Sequence, residues 1–75
     1  TMIAKCKNGD EVELGIGDSY PPGHVGQHTN VDRVWVRATG GKWVMSSAYS
    51  MHRTMLLVES CESAPELLDM LEAFN

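Results

Sequence analysis

Seventy-five residues make one small domain, and a chain of this length buries only about 60% of its unfolded surface. A composition 43% hydrophobic and 21% charged excludes a disordered chain, and no apolar run approaches the ~20 residues that span a bilayer. The net charge of -4 is unevenly placed: residues 1–53 hold all six Lys and Arg against five acids, and residues 54–75 hold five acids and no base. That balance disfavours general binding to nucleic-acid phosphates.

The first segment, TMIAKCKNGD, lacks the apolar core of a signal peptide, so a cytoplasmic protein without membrane contact is expected. Residues 2–7 and 11–16 read as a β-hairpin around Asn8-Gly9-Asp10. A three-residue loop pairs Lys7 with Glu11, Lys5 with Glu13, Cys6 with Val12, Ala4 with Leu14 and Met2 with Ile16. This register gathers charge on one face and apolar residues on the other. Cys6 then points into the core.

Residues 17–30, GDSYPPGHVGQHTN, are too rich in Gly and Pro for a helix or central strand. A loop this long in so small a domain is mobile or functional. It carries Tyr20, His24 and His28.

Residues 31–39 and 42–48 form the second predicted hairpin, VDRVWVRATGGKWVMSSA. A two-residue Gly40-Gly41 loop with positive φ at both glycines sets Ala38 against Trp43, Val36 against Met45 and Val34 against Ser47. Trp43 is then a core residue. Trp35 lies on the other face between Arg33 and Arg37. Either it stays exposed as a contact anchor, or the 17–30 loop buries it.

Residues 49–61 are ambiguous, because the apolar run TMLLV is too short to tell strand from helix. A helix would align Met51, Met55 and Val58. A strand over 53–60 completes a meander and is the expectation taken here. Ser63-Ala64-Pro65-Glu66 then reads as a capping box opening a helix over 64–74. Its Leu67, Leu68, Leu71 and Phe74 face the sheet, with Glu66, Asp69 and Glu72 opposite. The expected fold is α+β: an antiparallel meander of four to five strands capped by one C-terminal helix.

Four chemistries are open to these residues. His24 and His28 (H-x3-H) with Cys6 and Cys61 are the residue types of a zinc site, but the short Cys-x2–4-Cys knuckle is missing, so no metal or other cofactor is expected. No nucleophile motif or phosphate loop is present, so no enzyme is expected. Arg33, Trp35 and Arg37 along one strand face resemble a single-strand nucleic-acid platform, which is the alternative reading. Trp and Arg are also the commonest interface anchors. The leading expectation is a protein-binding surface made of Arg33, Trp35, Arg37, Tyr20 and the acidic stripe Glu66, Asp69, Glu72, in contact with a partner protein or a second copy.

The tail Ala64–Phe74, APELLDMLEAF, resembles the APELLEAL-type ending of small phage and prophage orphan proteins. That resemblance implies an accessory protein in a bacterial host cytoplasm that binds and blocks a host protein, a defence protein among them. It assigns no functional residues.

Overall fold

The computed structural model describes residues 1–74. Four strands run in order as an antiparallel sheet: β1 (Met2–Lys5), β2 (Glu11–Gly17), β3 (Arg33–Ala38) and β4 (Val44–Met45). Two helices follow, α1 (Met51–Ser60) and α2 (Ala64–Phe74). The domain is therefore α+β with four strands and two helices. The segment expected as a fifth strand, 53–60, is helical.

Its helical state has a local cause. Ser50 is the N-cap, and its hydroxyl accepts from the Arg53 amide at 3.1 Å. Thr54 and Val58 are fully buried, and Met51 and Met55 pack beside them. Met51, Met55 and Val58 thus align at helical spacing, and the strand expected over 53–60 does not form. Thr54 bonds the equally buried Ser46 hydroxyl at 2.8 Å. Ser46 also accepts from the Ala48 amide at 3.1 Å, so the polar pair is satisfied inside the core.

The first hairpin pairs Met2 with Leu14, Ala4 with Val12 and Lys5 with Glu11. This differs from the expected register by two residues. A shift of two preserves the faces, so Ala4, Cys6, Val12 and Leu14 still point into the core. The expected Lys5–Glu13 pair is replaced, because Glu13 meets Arg37 of β3 at 2.8 Å.

The extra length of the hairpin turn has a use. Lys7 and Asn8 donate their amides to the carbonyls of Cys61 and Glu62 at 2.9 and 3.0 Å. The Asp10 carboxylate accepts from the Ala64 amide at 3.1 Å, beside the Ser63 hydroxyl on the Glu66 amide at 3.4 Å. The turn thus ties down the junction of the two helices and helps cap α2. The Ala64 amide, with help from Asn8, holds the Asp10 carboxyl below its ordinary range.

The second hairpin departs by one residue, and that changes its faces. Trp35 pairs with Met45, and Val36 with Val44. Only Gly40 has positive φ (76°), and the Gly41 amide closes the turn on the Ala38 carbonyl at 2.8 Å. The two-residue primed turn expected at Gly40-Gly41 is not formed. One residue of slip moves Val44 into the core and puts Trp43 and Met45 on the face of Trp35. Trp43 is therefore not a core residue beneath the helices.

The helices cover the inner sheet face. Leu67, Leu71 and Val58 pack there without exposure against Val12, Leu14 and Val36. Each such side chain contributes roughly 1.5–3 kcal/mol of hydrophobic stabilisation. Phe74, expected to share the Leu stripe of α2, is instead 73% exposed.

Candidate contact groove

The outer face of the sheet carries Glu13, Gly15 and Gly17 of β2, then Arg33, Trp35 and Arg37 of β3. Trp35 lies opposite Gly15 in the register. It is only 9% exposed, and its indole N–H donates to the Asp18 carbonyl at 3.1 Å. Of the two expectations for Trp35, burial by the 17–30 loop is the one the structure displays.

The two glycines make this cover fit. A Cβ at Gly15 would stand 2.8 Å from Pro22 Cγ and 3.3 Å from the Trp43 ring. A Cβ at Gly17 would be driven into the Tyr20 carbonyl and to 3.0 Å from the Trp35 indole nitrogen. Bare backbone on this face lets Trp35, Trp43 and Pro22 approach β2 closely.

Asp18 organises the loop. One carboxylate oxygen accepts from the Tyr20 amide at 2.8 Å; the other accepts from the Thr29 amide at 2.8 Å and contacts His28 Nδ1 at 3.1 Å. The Tyr20 amide first, then Thr29 and His28, hold this carboxyl below its ordinary range against the opposing effect of burial. Tyr20 stacks on His24 with ring centroids 4.0 Å apart, and His24 meets the edge of His28. The long loop is thus structured by its own hydrogen bonds.

The arginines are engaged as well. Arg37 pairs with Glu13 and sets its guanidinium 4.4 Å from the centre of the Trp43 ring. Arg33 lies 5.4 Å from the Tyr49 ring. Tyr49 has φ of 63°, an unusual backbone state for an aromatic residue, just before the N-cap of α1. Of the expected contact set, Arg33 and Arg37 flank a buried Trp35, and Tyr20 sits on the loop above it. Glu66, Asp69 and Glu72 are exposed on α2, and of the three Glu72 reaches the edge of this face beside Trp35 and Trp43.

The zinc candidates are not brought together. Cys6 and Cys61 are free, buried and part of the inner core, whereas His24 and His28 belong to the loop over the outer face. No group of three or more metal-ligating side chains converges among the described residues. Burial first, then the neighbouring Cys61, raises the Cys6 thiol, which disfavours it as a nucleophile.

A second surface overlaps the expected one at Trp35. An open groove of about 560 Å³ lies where β4 meets the end of α2. Trp35, Trp43, Val44, Met45 and Phe74 form its apolar lining, and Lys42 and Glu72 stand on its rim. The rim pair is loose, at 3.8 Å, with Lys42 82% and Glu72 49% exposed. A pair this open contributes little to folding and is available to a partner. Sequence reasoning missed this site because it placed Trp43 and Phe74 in the core. The usable signal was the Gly15/Gly17 alternation, which marks a face prepared for close aromatic packing.

No protein-family model, curated protein or solved structure matches this chain. No helix among the described residues is long and apolar enough to cross a membrane.

Proposed function

We propose that this chain is a non-enzymatic protein-binding module, and that the groove between β4 and α2 is its contact surface. The observation that supports this reading most is the pairing of a half-buried Trp43 with a 73% exposed Phe74 across an open apolar groove. Aromatic side chains backed by packing, with charge at the rim, are the usual makings of an interface anchor. Trp43 is rigidly backed: Arg37 lies over its ring and Gly15 beneath its edge. Trp35 also lines the groove, but it is only 9% exposed and holds the loop through Asp18, so the more accessible anchor is Trp43, one strand over.

The module acts by occlusion, covering a partner surface rather than changing it chemically. The resemblance of the tail to phage proteins makes a host protein in the bacterial cytoplasm the partner class we propose, with an inhibitory outcome. The nucleic-acid alternative is weakened, since Trp35 is only 9% exposed and Arg37 already has two partners.

The test is a partner captured from host lysate, purified, and titrated against wild type and Trp43→Ala. Trp43→Ala should weaken binding at least about tenfold with the thermal midpoint held, and affinity should fall only gently with salt. A partner bound equally well by Trp43→Ala would refute the groove. A steep salt dependence, with single-stranded DNA as the better ligand, would favour the alternative.

A further inference from the structure

We infer that the groove takes a partner segment in which one apolar side chain is flanked by basic residues; this rests on the groove being the contact surface. Charge complementarity points to this occupant. Glu72 stands on the groove rim, and Asp69 and Glu66 continue from it along α2, all three exposed. Lys42, at 3.8 Å from Glu72, is the only basic side chain paired with this row among the described residues. Glu72 is the member of this row that lines the groove, so a chain anchored there meets its carboxylate first.

A second copy of this chain fits poorly. Each copy carries a net charge of -4 with five acids in its last 22 residues, and two such helical sides repel.

The experiment is selection of a displayed random peptide library on the full chain, followed by anisotropy titrations with the enriched peptides. The expected enrichment is an apolar residue with Lys or Arg among its near neighbours. Affinity for those peptides should drop about two- to tenfold in the double variant Glu66→Gln/Asp69→Asn, the effect of losing two exposed ion pairs. It should drop further in Trp43→Ala. Peptides that need Trp43 but show no basic enrichment, or that ignore the double variant, overturn the inference and leave the groove as a contact surface. A Trp43-dependent dimer in sedimentation also overturns it, because the occupant is then a second copy. Enriched peptides that ignore Trp43 altogether overturn the groove reading as well.

Discussion

The two faces of this sheet are covered by different means. The inner face is sealed by two helices through Val58, Leu67 and Leu71, with Val12, Leu14 and Val36 opposite. The outer face is sealed by an irregular loop through one carboxylate, one indole and two glycines. Apolar packing holds the first and tolerates small changes of shape. Hydrogen bonds and close backbone approach hold the second, and these depend on single atoms.

That difference predicts a graded response to substitution. Leu67→Ala on the inner face should cost about 2–5 kcal/mol, measured by urea unfolding, and should unfold a domain with so thin a margin at growth temperature. Gly17→Ala on the outer face should cost about 1–3 kcal/mol from overpacking alone. Its signature should be local: loss of loop amide protection and a red shift of Trp35 emission, with the helical circular dichroism kept. A Gly17→Ala protein that is as stable as wild type would mean that the loop does not press on β2.

Asp18 sharpens the contrast further. Both of its carboxylate oxygens accept from N–H groups, so an amide must turn its NH2 toward one of those donors. Asp18→Asn should therefore speed hydrogen exchange at Tyr20 or Thr29 while the inner core stays protected. Acid should act in the same place. The folded-state pKa values of Asp18 and Asp10 lie below the ordinary aspartate value of 3.8. Their stabilisation is then full above that value and is lost as pH falls through the folded values. An acid titration should show stability declining below about pH 4. The decline should be shallower in Asp18→Asn, and an unchanged slope would remove Asp18 from the account.

The parts that were legible in the sequence share one trait: their signal was local or repeated. The capped α2 was read from Ser63 and from Leu67 and Leu71 at helical spacing. The core face of the first hairpin survived a register error because that error was an even number of residues. The unreadable parts turned on a single residue. Whether Gly40-Gly41 closes a two-residue turn or a longer one decides the side on which Trp43 falls, and both turns suit glycine. Helix α1 was obscured because TMLLV suits either state and its cap, Ser50, follows a Tyr49 with positive φ. The contact groove inherited both errors, since it needs Trp43 outside the core and Phe74 beyond the helix stripe.

The most direct measurement is acrylamide quenching of the two single-tryptophan proteins, Trp35→Phe and Trp43→Phe, with and without a bound peptide from the selection. Trp43 alone should be readily quenched in the free protein and shielded on binding. Trp35 alone should be protected in both states. A Trp35 that is quenched freely and becomes shielded by the peptide would contradict the account and restore the strand face between Arg33 and Arg37 as the contact surface.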